Sequence, residues 1–216
     1  MAATGKSFGV AALVLWAASL AVGGASALAA DKATEELAPR CLGTDPNAPV
    51  VMEVFSDFQC PACRRFYLEV ARPVMADYAM KGRVCVVYHE FPLNSHEHAR
   101  EAARYSVAAG LLGQQDWIKV TDALYVYQPQ WSVNGRLEAV VAQVLSQEKM
   151  AEVKKRMEDP KLETQIDREI ALGRQLGVRA TPTVFIQANG KTERIPPGVQ
   201  YPILRRYLDT LLAQAQ

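Results

Sequence analysis

The sequence predicts an α/β fold in which a small sheet is interrupted by an all-helical subdomain. Three observations carry this. Val50 to Phe55 is a short apolar run that leads straight into a helix opening on Cys60-Pro61-Ala62-Cys63. From about 96 to 177 the apolar residues recur at helical periods with no strand signal. Strand character then returns at Thr183–Gln187 and Thr192–Ile195, joined by the turn residues Ala188-Asn189-Gly190-Lys191.

The elements follow in order. Val50, Val51, Met52, Val54 and Phe55 form the nearly continuous apolar stretch of a strand covered on both faces. Ser56, Asp57 and Gln59 break it. Pro61 suits the first helical position, where the missing N–H is no loss, so Cys60 falls at or beside the N-cap. Arg64 to Met80 continues the helix, and Pro73 inside it predicts a kink. Lys81-Gly82 ends it, and Arg83 to His89 is a second strand closed by Phe91-Pro92. Helical segments follow over 96–112, 115–127, 133–145, 147–157 and 162–176. Asp159-Pro160 is the clearest break among them, because a residue before proline is pushed out of the helical region. After the hairpin, Tyr201 to Leu212 forms a closing helix.

The cysteine pair carries the chemistry. Unpaired N–H groups and the positive end of the helix dipole favour a thiolate at Cys60. Cys63, one turn on, lies within disulfide reach on the same face. Such a pair cycles between dithiol and disulfide through a mixed disulfide. Cys41 and Cys85 remain, and a structural bridge between them would tie the N-terminal extension to the second strand. The alternative is an inert buried thiol at Cys85 and a free one at Cys41.

Length and charge set the bounds. The chain has 216 residues, half of them hydrophobic, enough for one substantial core. Residues 1–29 read as a signal peptide: Lys6, an apolar run from Phe8 to Val22, and the small-x-small triplet Ala27-Leu28-Ala29. An uncleaved anchor is the other reading of that run. Without it, the 24 basic residues lose Lys6 and balance the 23 acidic ones, for a net charge of zero. That balance argues against nucleic acid and charged membrane surfaces as partners. The remainder, 30–216, is expected to form one domain with the insertion at about 96–177.

With these residues in view, the chain resembles a known family. A CxxC at a strand-to-helix turn, with Ala180-Thr181-Pro182-Thr183 before a hairpin, is similar to the thioredoxin fold. The helical insertion, FSDFQCPAC and YHEFPL resemble the DsbA-like branch of exported thiol-disulfide oxidoreductases. The resemblance implies that Cys60 is the nucleophile and Cys63 the resolving thiol. It implies that Pro182 is a cis-proline facing them and that the backbone of Thr181 pairs with a bound peptide. It also implies that Glu53 is a buried acid beneath the redox pair that moves the proton of the resolving thiol; an acid within an apolar strand would have a raised pKa.

The implied activity is disulfide formation or exchange in unfolded or reduced exported proteins. It would be carried out in the periplasm or another extracytoplasmic space by a monomer without cofactor or metal, reoxidised by a DsbB-like or vitamin-K-epoxide-reductase-like membrane partner. One departure bears on direction: Pro61-Ala62 lacks the histidine of strongly oxidising members, so oxidase and reductase or isomerase directions both stay open.

Two other constellations stand out in the sequence. His96 and His98, two apart on an expected helix start, point to different sides and so do not share an ion well. A metal carrier using the CxxC remains the alternative function. Trp117, Tyr125, Tyr127 and Trp131 read as core of the helical block.

Overall fold

The computed structural model describes residues 41–215 and the first two residues. The signal peptide read over 1–29 and the polar stretch Asp31–Arg40 lie outside the described residues. Five strands form one sheet in the order β1-β3-β2-β4-β5. They are β1 Cys41–Leu42, β2 Val50–Ser56, β3 Val84–Glu90, β4 Thr183–Ala188 and β5 Lys191–Arg194. Only β2 and β3 run parallel, and a parallel pair needs a crossover connection. The helical run bearing the CxxC is that crossover.

This run is broken into pieces for a reason visible in the sequence. It comprises α1 Pro61–Phe66, a π-turn Tyr67–Ala71, α2 Arg72–Asp77 and a final 3₁₀ turn Ala79–Lys81. Pro73 has no N–H to give to the carbonyl four residues back. The helix absorbs this by widening one turn: Arg72 N donates to Tyr67 O, five residues earlier. The expected kink thus takes the form of a π-bulge just ahead of the proline.

The insertion is helical throughout: α3 Ala99–Gly110, α4 Gln114–Val126, α5 Gln128–Trp131, α6 Leu137–Val141, α7 Gln147–Met157 and α8 Pro160–Gln175. Ser146 caps α7 by accepting from Lys149 N (3.3 Å), and Asp159 caps α8 by accepting from Lys161 N (2.9 Å). Trp131 is wholly buried and its indole N–H donates to Leu124 O at 2.7 Å. Two boundaries differ from the sequence reading. The segment 133–145 contains only the short α6, and α3 begins at Ala99, so His96 and His98 stand in the turn before it. The closing helix α9 is Tyr201–Gln214. No helix among the described residues is long and apolar enough to cross a membrane.

The sheet is covered on both faces, as its apolar strands require. On one face of β2 lie Val50, Met52 and Val54, all fully buried; on the other lies Phe55, stacked on the His89 ring at 4.4 Å and edge-on to Phe91 and Phe185. Helix α8 comes down on this second face at Gly173. A Cβ there would sit 2.6 Å from Phe91 Cε2 and 3.0 Å from Phe55 Cδ1. Gly173→Ala is therefore expected to destabilise the protein by about 1–3 kcal/mol through overpacking. Alanine's better helix propensity, worth about 1 kcal/mol, pulls the other way. Urea denaturation decides between them: a raised midpoint would mean that the two rings give way.

Candidate active site

Cys60 occupies the N-cap of α1 with extended backbone (φ −73°, ψ 121°), and Pro61 follows at the first helical position. The turn before it is built by Asp57. Its buried carboxylate accepts from Gln59 N (2.7 Å) and Cys60 N (3.1 Å) through Oδ1, and from Leu93 N (2.8 Å) and His96 Nδ1 (2.8 Å) through Oδ2. The bond to the N–H two residues on is the local turn that aspartate favours. The helical insertion clamps the same turn. Gln59 Nε2 donates to Ser132 O (2.8 Å), its Oε1 accepts from His98 N (2.7 Å), and Gln128 Nε2 donates to Cys60 O (3.0 Å). The redox turn is thus held from three sides before any substrate arrives.

The two sulfurs stand in different environments. Both are present as thiols; Cys63 is fully buried, and Cys60 retains 8 % exposure. The Cys63 thiol donates to a Cys60 thiolate, and the N–H groups of Cys63 and Ala62 and the Thr181 hydroxyl add to this. Together they outweigh burial and lower the Cys60 pKa to about 5. The Thr181 Oγ1 is buried without a protein oxygen or nitrogen partner, which leaves it free to turn to sulfur. Burial, and then the neighbouring charge on Cys60, push Cys63 well above the usual thiol range. Asp57 N donates to Cys63 Sγ at 3.4 Å.

Opposite the pair, the Thr181–Pro182 bond is cis, and Thr181 O accepts from Cys60 Sγ at 3.5 Å. Between this loop and the helical run lies a groove of about 610 Å³. Phe66 and Val70 line one wall, Pro182 and Val199 the other, with Thr181 at the end near Cys60.

Of the residues singled out in the sequence, the structure brings together Cys60, Cys63, Thr181 and Pro182. It does not bring Glu53 to them, and the expectation for that residue is corrected. Side chains alternate along a strand, so Glu53 shares a face with Phe55 and lies opposite Ser56, the β2 residue that hydrogen-bonds Cys63. Glu53 pairs instead with His89 Nε2 at 3.1 Å and with Gln187 Nε2. Cys41 and Cys85 are joined, with Cα atoms 5.2 Å apart, where β1 pairs with β3. Among the described residues, no three His, Cys, Asp or Glu side chains come together in a way that could hold a metal ion.

Several participants escaped the sequence reading. Tyr125, assigned to the core, hydrogen-bonds Ser56 Oγ at 2.7 Å beside Cys63. His96, considered there only as a metal ligand, binds Asp57. On the far side of β3, Glu169 of α8 accepts from Glu90 N (2.5 Å) and from Gln165 Nε2 (2.7 Å). Burial lifts Glu169 to about 7 and Glu90 well above the carboxylate range. An Asp three residues before the first cysteine was the one local signal available; the others depend on contacts far apart in sequence.

Comparison with known proteins agrees with this geometry. The family model described as thioredoxin matches residues 38–196. The chain is 27% identical over 170 residues to the probable disulfide bond formation protein D of Bacillus cereus, covering 74% of this chain and 76% of that protein. Among solved structures it is similar to Wolbachia pipientis alpha-DsbA1, with TM-score 0.67 at 23% identity over 84% of this chain and 96% of that one. It is likewise similar to oxidised BdbD from Bacillus subtilis, with TM-score 0.67 at 21% identity over 81% and 93% of the two chains.

Proposed function

The chain belongs to the thioredoxin family, as a DsbA-like thiol-disulfide oxidoreductase, and from that premise we propose that it is an exported oxidase that introduces disulfides into reduced polypeptides. The observation that carries this is the asymmetry of the two thiols. A substrate thiolate attacks the Cys60 sulfur of the Cys60–Cys63 disulfide; the S–S bond breaks, and Cys63 leaves as a thiolate that takes up a proton because burial disfavours its charge. A second substrate thiolate then attacks the substrate sulfur of the mixed disulfide. Cys60 departs as a thiolate that needs no proton above about pH 5, which makes it a good leaving group. The substrate's two thiols have become a disulfide, and the protein's disulfide has become a dithiol.

Stabilising the Cys60 thiolate favours the reduced protein, which is what makes the oxidised form a strong acceptor of electrons. The hydrogen bonds to that thiolate supply here what the histidine between the cysteines would have supplied. Export is supported by the N-terminal run over 1–29 and by the Cys41–Cys85 bridge, since disulfides persist in oxidising compartments. Return to the disulfide would fall to a membrane partner of DsbB-like or vitamin-K-epoxide-reductase-like type. Equilibration with glutathione tests the direction. A potential well above that of glutathione is expected; one well below it would make the protein a reductase.

A further inference from the structure

The groove beside Cys60 is apolar along its walls and carries more basic than acidic groups. Arg65 and Arg194 line it, with Glu69 as its one acidic lining residue. Some arginines of the chain meet carboxylates, among them Arg72 with Asp122, Arg100 with Glu163 and Asp167, and Arg156 with Glu152. The groove arginines do not. Arg65 is exposed and has no carboxylate within ion-pair reach among the described residues, Glu69 included. Arg194 gives its N–H groups to neutral oxygens, Thr183 Oγ1 at 3.3 Å and Gly177 O at 3.5 Å, with its guanidinium 6.0 Å from the Phe185 ring centroid. Two cations are left uncompensated at the place where a substrate would lie, in a chain whose acidic and basic residues nearly cancel.

We propose that these two arginines select cysteine-containing segments that carry an acidic side chain close to the reacting cysteine. The inference rests on the disulfide-exchange reading of the Cys60–Cys63 pair and names the substrates it prefers. The spacing follows from the geometry. Arg65 is five residues along the helix from Cys60, about 7.5 Å of rise, and an extended chain covers that in about two to three residues at roughly 3.3 Å each. A segment laid along Thr181 would thus place the side chain two or three positions from its cysteine near Arg65, and its apolar side chains between Phe66, Val70 and Val199. Opposite charge at this distance speeds encounter and orients the segment, and salt weakens both effects.

Three reduced peptides that differ only in Asp, Asn or Lys two positions from the first of two cysteines test this. Each is oxidised by the disulfide form of the full protein in a single turnover, and the Asp/Lys ratio of second-order rate constants is taken within each protein variant. A ratio of roughly fivefold to tenfold is expected at low salt, from two partly exposed charge pairs, shrinking towards one at high salt. Arg65→Glu with Arg194→Glu should invert the order, and the single changes to Gln should each lower the ratio. A wild-type ratio near one, or a double variant that keeps the wild-type ratio, overturns the proposal. If the wild type oxidises none of the peptides, the neutral one included, the disulfide-exchange reading itself has failed.

Discussion

Cys60→Ser is expected to abolish disulfide exchange, and Cys63→Ser, which cannot form the Cys60–Cys63 disulfide either, to stop turnover while leaving a Cys60 thiolate that captures a disulfide-bonded substrate covalently. The difference follows from which sulfur is reachable: Cys63 is fully enclosed, whereas Cys60 keeps 8 % exposure beside Thr181, which lines the groove. Non-reducing electrophoresis with a disulfide-bonded substrate distinguishes the two: only in Cys63→Ser does a Cys60 thiolate attack the substrate disulfide, releasing one substrate thiolate and keeping the other sulfur in a mixed disulfide that no Cys63 can resolve. In the reduced wild type, alkylation of Cys60 should rise with pH through a midpoint near 5 and level off well below neutrality. A midpoint near 9, the ordinary thiol value, would remove the basis for the proposed leaving-group role. The sign of the linkage is fixed by the direction of the shift. The folded pKa is depressed, so the thiolate's contribution is complete above the unfolded value of 9.0 and is lost as pH falls through about 5. At pH 7 it amounts to about 2–3 kcal/mol in favour of the folded dithiol.

Asp57→Ala should be among the most destabilising single changes near the site. It would strip the acceptor from the backbone N–H groups of Gln59 and Leu93 and from the His96 ring, while Cys60 N would keep only the Asp57 carbonyl at 3.2 Å. Buried donors left without partners cost about 1–3 kcal/mol each, partly recovered as the turn relaxes. A net loss of about 3–5 kcal/mol is expected in chemical denaturation of the reduced protein. Asp57→Asn keeps one oxygen and should fall between. A loss below about 1 kcal/mol for the alanine variant would show that the insertion alone holds the turn.

Much of this was legible in the residues, and what was not shares a physical cause. The strand-to-helix entry into the CxxC, the helical insertion and the hairpin after Pro182 are set by local patterning, which the chain carries plainly. Glu53 was misplaced because strand geometry has period two. Counting back from the cysteines requires knowing the residues in the intervening turn, and one residue changes the face a side chain takes. Tyr125, Gln128 and His96 were missed because their contacts to residues 56–60 cross from the insertion to the sheet. A helical periodicity shows that a side chain is buried, without showing what it is buried against.

The Cys41–Cys85 bridge has a consequence of its own for a protein that attacks disulfides. Cys85 is 3 % exposed and stands beside Val51, while the reactive pair follows the opposite end of β2. Five strand residues separate Val51 from Ser56, about 17 Å at the rise of a strand. One domain thus houses a reactive sulfur pair beside a groove and, toward the edge strand at the other end of β2, a bridge whose Cys85 half is buried. The geometry keeps the molecule from becoming its own substrate.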